Sequence, residues 1–275
     1  MRTPISSGKR LPISSRLFPA VLRACQRVAA ASGSCPVRKR IALPIVVAFL
    51  LLSTATAGTP RRVAVDVGHT LAEPGAVSAR GRSEFEFNRE LAELLVLALR
   101  ARDVTVREVN FAGTIGSLAE RPEQARGSDF FISIHHDSIA PEYLQFWDWD
   151  GSEESYTTLK RGFGIFVSRR NPELAASLRC ASTIGAALRR GGFEPTPWHG
   201  RKHQPADAGN GVWYYDNLVV LHKSTFPAIL FEAGVIKHRE EELELLDGDR
   251  QARMADALAM GIAACLFVTE RSARR

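Results

Sequence analysis

Apolar positions along the chain follow two alternating periods. Short β-branched or aromatic runs stand at 63–67, 104–109, 130–134, 163–168 and 228–231. Runs of about five to eight such residues suit the buried strands of an α/β sheet. Between them the spacing turns helical. From about 84 to 102, Phe87, Leu91, Leu94, Leu95 and Ala98 make one stripe, with Arg89, Glu90 and Glu93 off it. After Asn171-Pro172-Glu173, Leu174, Leu178, Ala181, Ile184 and Leu188 make a second stripe that stops at Gly191-Gly192. Met254, Leu258, Ile262 and Leu266 make a third, over 250–268. Leu118–Arg126 predicts a short helix with Pro122 near its start, and the apolar run Leu218–Leu221 predicts one more strand. Strands alternating with amphipathic helices predict an α/β domain with a largely parallel sheet.

Two stretches fit neither period. Residues 139–162 read as a long loop, yet hold Tyr143, Phe146, Trp147, Trp149 and Tyr156. Aromatic enrichment argues against disorder, so this stretch is either a substrate-binding wall or a satellite apolar cluster. Residues 195–217 also read as irregular. His199 and His203, four apart, would share a metal only on a helix, and Pro195, Pro197 and Pro205 argue against one there.

Charge divides the chain. Residues 1–57 hold nine of the 36 Lys and Arg and none of the 30 Asp and Glu. The remainder is slightly acidic, so the overall +6 charge is no argument for a nucleic-acid partner. Within the basic segment, Arg38-Lys39-Arg40 precedes the apolar run 41–52 and then Ser53-Thr54-Ala55-Thr56-Ala57. A positive region, a short apolar run and an Ala-x-Ala site predict a secretory signal over 1–57, cleaved after Ala57. The n-region is longer than usual, which an upstream start codon would explain. The apolar run falls short of the ~20 residues that span a bilayer, so membrane contact is expected only through an uncleaved leader. Residues 58–275 then form the mature domain, exported to the periplasm or cell envelope. Cys25 and Cys35 leave with the leader; Cys180 and Cys265, in helical patterns, read as small buried hydrophobes, while an exported location permits a disulfide that spacing cannot assign.

The candidate chemistry sits at strand ends, where α/β sheets place their functional groups. Gly68-His69 follows the first strand, His135-His136-Asp137 follows 130–134, and Glu232 follows 228–231. His135 and His136 are adjacent, so in extended backbone they face opposite ways and at most one can share a metal with His69. Glu84 and Glu86 stand at a helix start, where acids are favoured by exposed N–H groups. Two apart, they cannot both point into one site. Two histidines, one carboxylate and an open position make a catalytic zinc site, and a second carboxylate can act as base.

The order of these motifs resembles the zinc-dependent N-acetylmuramoyl-L-alanine amidases of the amidase-3 type, which are peptidoglycan hydrolases. Asp66-Val67-Gly68-His69 is similar to that family's Asp-Pro-Gly-His, and Glu84 with Asn88 to its helix-start pair. Ser133-Ile134-His135-His136-Asp137 is similar to its Ser-Ile-His element, and Pro227-Ala228-Ile229-Leu230-Phe231-Glu232 to its last strand. The departures are Val67, Thr70-Leu71, His136 and Lys237-His238, none at a proposed ligand or base. The resemblance implies a single three-layer domain of phosphorylase/hydrolase-like architecture, with a twisted, mostly parallel sheet between helices. It implies one Zn2+ per chain held by His69, Glu84 and His135, with Glu232 as the catalytic glutamate and peptidoglycan as substrate. The alternatives are another exported zinc amidohydrolase or peptidase, and a non-catalytic peptidoglycan-binding homologue. Asp66 and Asp137 are expected either to orient the ligand imidazoles or to serve as turn residues. His136 and His222 are candidates for substrate binding or proton transfer.

Overall fold

The computed structural model describes residues 61–273, with side chains to Phe267; the predicted leader over 1–57 lies outside the described residues. A seven-stranded sheet forms the middle layer, in the order β2-β1-β3-β9-β6-β8-β7. Its strands are β1 (Arg62–Val67), β2 (Thr105–Val109), β3 (Phe130–Asp137), β6 (Gly164–Val167), β7 (Pro205–Asp207), β8 (Val212–Tyr214) and β9 (Ala228–Val235). β2, β1, β3 and β9 run parallel, β6 joins β9 antiparallel, and β8 is parallel to β6. The expected α/β fold with a mostly parallel sheet between helices is what the chain adopts.

The helices follow the predicted stripes. α1 (Glu84–Arg100), α3 (Leu174–Arg190) and α6 (Gly248–Ala273) cover one sheet face. Phe87, Leu91 and Leu95 of α1 pack there with Ile184 of α3 and Leu258 and Ile262 of α6, against Val65, Ile132, Ile134 and Phe231 of the sheet. The other face holds a smaller cluster, in which Phe131, Phe166 and Leu230 meet Val220 and Leu221. Short helices α2 (Glu120–Gln124), α4 (Val219–His222) and α5 (Glu241–Leu245) complete the domain. Among the described residues no helix is long and apolar enough to cross a membrane.

Several sequence expectations need correction. Residues 139–162 contain a hairpin, β4 (Gln145–Trp149) and β5 (Ser152–Tyr156), turned by Asp150-Gly151 with both φ angles positive. Asp-Gly is a preferred pair for two-residue hairpin turns and is the sequence signal for this one. The 195–217 segment holds β7 and β8 between 3-10 turns. Leu218–Leu221 is not a strand: Val219–His222 is a single helical turn that buries Val220 and Leu221. A four-residue apolar run has no period to read, and packing decided its form. α3 starts at Leu174, and Asn171 ahead of it ties the chain to a distant segment: its amide donates to the carbonyls of Leu221, Ser224 and Phe226. Cys180 and Cys265 are not free thiols. They form a disulfide joining α3 to α6, 85 residues apart in sequence.

Candidate active site

Three strand ends and one helix start converge. Glu84, the first residue of α1, points inward, while Glu86 turns back to accept hydrogen bonds from the N–H and hydroxyl of Ser83. The two acids divide as their spacing requires, one into the site and one capping the helix. Glu84 Oε1 lies 3.1 Å from His69 Nε2 and 3.1 Å from His135 Nδ1. Its Oε2 accepts from the Ala76 N–H at 3.1 Å. One ligand atom from each of His69, Glu84 and His135 lies within 4.8 Å of the other two. Among the described residues, this is the group whose composition and closeness fit a metal ion. Two imidazoles and a carboxylate are the donor set of a three-protein-ligand catalytic zinc site.

The backbone is built around these rings. A Cβ on Gly68 would strike the His135 ring, and one on Gly75 would strike both Glu84 and His69. His69 itself sits in the left-handed region at φ 67°, a conformation that costs a non-glycine residue energy. Two buried side chains hold it there. Asn110 Nδ2 donates to the carbonyls of Val67 (2.7 Å) and His69 (2.6 Å), and Arg121 donates to the same two at 3.0 and 2.7 Å. Neither Asn110, just past β2, nor Arg121, in α2, had a signal in the sequence, because the carbonyls they hold belong to the end of β1 and are distant in the chain.

Behind the rings, Asn88 Nδ2 donates to Glu84 Oε1 (3.2 Å) and the Gly68 carbonyl (3.2 Å). Its Oδ1 meets His136 Nδ1 at 2.9 Å. His136 faces the helical side of the sheet, away from the three converging groups. Burial pushes its imidazole down to about 3, so it is a neutral buttress for Asn88. Asp66 orients no imidazole. It accepts from Ser133 Oγ at 2.7 Å and lies 3.5 Å from Arg121, and burial pushes its carboxyl up to about 6 despite both. Asp137 pairs with the buried amine of Lys160 and lies 3.3 Å from His199 Nε2. His222, at the end of α4, lines neither cavity beside the site.

The two carboxyls differ sharply. Burial opposes the charge of Glu84, but hydrogen bonds from His135 and His69 outweigh it and hold the group well below the usual range. Glu232 on β9 is the register partner of His135 on β3. Burial, then the charges of Asp137 and Glu84, push its carboxyl well above the usual range, with Lys160 partly offsetting them. Its Oε2 is buried without a hydrogen-bond partner. One carboxylate is thus kept ionised beside two imidazoles, and the other is kept ready to carry a proton.

The family profile for N-acetylmuramoyl-L-alanine amidases matches residues 63–264. The chain belongs to the N-acetylmuramoyl-L-alanine amidase family. Solved amidases share the fold of this amidase. The enzyme from Clostridium difficile 630 superposes with a TM-score of 0.60 at 20% identity, over 76% of this chain and 98% of its own. That from Mycobacterium smegmatis gives 0.61 at 20% identity, over 76% and 97%. The CwlV catalytic domain of Bacillus (Paenibacillus) polymyxa var. colistinus gives 0.58 at 24% identity, over 76% and 99%. No curated protein matches the sequence of this amidase. As a family member the chain is an N-acetylmuramoyl-L-alanine amidase, a hydrolase of a linear amide bond.

Proposed function

We propose that this amidase is exported and zinc-dependent, and that it cleaves peptidoglycan between the lactyl group of N-acetylmuramic acid and L-alanine. The observation that carries the reading is the convergence of His69 and His135 on one oxygen of Glu84, with Glu232 in register beside His135. His69, Glu84 and His135 would hold the zinc. Bound there, zinc supplies Lewis acidity, polarising a carbonyl and raising the acidity of water.

The remaining steps fall to Glu232. Its buried Oε2, free of other partners, takes a proton from the attacking water as the water oxygen bonds to the carbonyl carbon. The same atom delivers that proton to the amide nitrogen as the C–N bond breaks, leaving a lactyl carboxylic acid, which then ionises, and a free alanine amine. Burial raises the proton affinity of Glu232 above that of an ordinary carboxylate, which suits a group that first accepts and then releases a proton. Asn88, Asn110 and Arg121 take no part in proton transfer; they keep Glu84 and His69 in place.

Export rests on the basic, apolar leader ending in Ala55-Thr56-Ala57, read as a signal over 1–57 with the catalytic domain following. The Cys180–Cys265 disulfide supports it, because disulfides persist in oxidising compartments such as the periplasm. The function is tested by digesting purified peptidoglycan and identifying new ends. New amino termini on alanine support the amidase reading. New termini deeper in the peptide would point to a peptidase, and wall binding without hydrolysis to a binding module.

A further inference from the structure

The register row that pairs His135 with Glu232 continues one strand further. Gly164 on β6 is the partner of Glu232, and its missing side chain admits the ring of His199; a Cβ there would strike Nε2 and Cδ2. His199 therefore stands beside Glu232, although it comes from the distant turn Pro197–Arg201. A cavity of about 300 Å³ opens next to them, walled by Lys160, Tyr143, Trp198 and Tyr215.

The polar groups of this cavity are incompletely used. Lys160 is buried, and its amine donates to the Asp137 carboxylate and the Ser138 carbonyl. An ammonium has three protons to donate, so one is left for a ligand. His199 Nε2 is buried near Asp137 but not aligned for a hydrogen bond, and Glu232 Oε2 also lacks a partner. Buried polar atoms without partners are rare. Glu232 Oε2 serves the proton transfer, so His199 Nε2 is the buried donor on this wall that a ligand oxygen would complete.

We propose that this cavity is the subsite for the peptide side of the scissile amide, and that Lys160 and His199 determine its specificity by donating to a carbonyl or carboxylate oxygen of a short peptide. The inference rests on the amidase reading. In the amide which that reading assigns, the lactyl carboxyl is consumed by the bond, so the ionised carboxylates lie on the peptide side. Lys160, although paired with Asp137, keeps one donor free, and Lys202 adds a second cation at the rim. A second cavity, of about 280 Å³ beside His69 and His135, has an apolar wall that includes Leu118, Leu218 and Leu230. Its Arg121 is buried and holds the carbonyls of Val67 and His69, and Glu73 on the same wall opposes a carboxylate. Charge therefore assigns the peptide to the Lys160 side.

The test is calorimetric binding of L-alanyl-glutamate, and of the same dipeptide with both carboxylates amidated, to the full chain and to its His199→Ala, Lys160→Met and Lys160→Arg variants. His199→Ala removes no charge, which keeps the test open if Lys160→Met, by stranding Asp137, fails to fold. Losing a hydrogen bond to a charged or polar group predicts about tenfold weaker binding of the free acid by His199→Ala and Lys160→Met, with Lys160→Arg retaining most of the affinity. A loss confined to the free acid assigns the contact to a carboxylate; an equal loss for the amidated dipeptide assigns it to a main-chain carbonyl. On the full substrate, the same two variants should act mainly through KM. Wild-type affinity in folded His199→Ala, or in Lys160→Met where that variant folds, with alanine termini still released, would overturn the subsite and leave the amidase reading standing. Dipeptide binding lost in the variants, from a protein that releases no alanine termini, would overturn the amidase reading instead.

Discussion

His135 and Glu232 are register partners on the parallel strands β3 and β9, so the backbone ladder fixes the proposed base beside a proposed ligand. The ring of His135 in turn covers Gly68, where a Cβ would strike it. Gly68→Ala should therefore push His135 off its position without unfolding the sheet. Changes to groups that orient metal ligands typically cost about 10–100-fold in metal affinity, and equilibrium dialysis with zinc should show a loss of that order. Undiminished affinity would mean that the close packing of Gly68 on His135 is incidental.

Asn110 offers a test one step removed from the ligands. It and Arg121 hold the same two carbonyls and keep His69 at its positive φ. Asn110→Ala leaves Arg121 in place, so the chain should fold. Zinc affinity and turnover should each fall by about tenfold or more, because His69 is less well positioned. Equal values for variant and wild type would assign the whole clamp to Arg121.

The disulfide predicts a separate effect. It joins helices at positions 180 and 265, where Gly261 lies so close to Ile184 that a Cβ would strike its Cα. Closing so long a loop typically stabilises by about 2–5 kcal/mol. Reduction, or the double change Cys180→Ser and Cys265→Ser, should lower the melting temperature while leaving zinc stoichiometry unchanged. A loss of zinc on reduction would show that the α3–α6 pair supports the site directly.

Metal removal should be visible in stability as well as in activity. A ligand that binds only the folded state at 100 times its Kd adds about 2.7 kcal/mol. Chelation should therefore lower the melting temperature and stop hydrolysis, and zinc should restore both. Recovery of activity without recovery of the melting temperature would place the required metal elsewhere.

The parts of the site legible in the sequence are those carried by local pattern. His69, His135 and Glu232 each end a run whose apolar character declares a buried strand, and alternation alone placed His135 and His136 on opposite faces. The spacing of Glu84 and Glu86 likewise forced one inward and one outward. What stayed hidden depends on how distant segments meet. Lys160 and His199 reach Glu232 only because the chain after the β4–β5 hairpin and the turn at 197–201 both fold back over β6. Cys180 and Cys265 were placed on helices, but their pairing follows from the packing of α3 against α6. Leu218–Leu221 carries no period in four apolar residues, and burial in the smaller core favours a helical turn there.

The central claim is a division of labour: His69, Glu84 and His135 hold zinc, and Glu232 moves the proton. Zinc content and release of alanine amino termini from peptidoglycan, measured on the same samples of wild type, Glu232→Ala and His69→Ala, test it most directly. The predicted result is full zinc without hydrolysis for Glu232→Ala, and neither zinc nor hydrolysis for His69→Ala. Zinc retained at wild-type stoichiometry in His69→Ala, or hydrolysis persisting in Glu232→Ala, would contradict it.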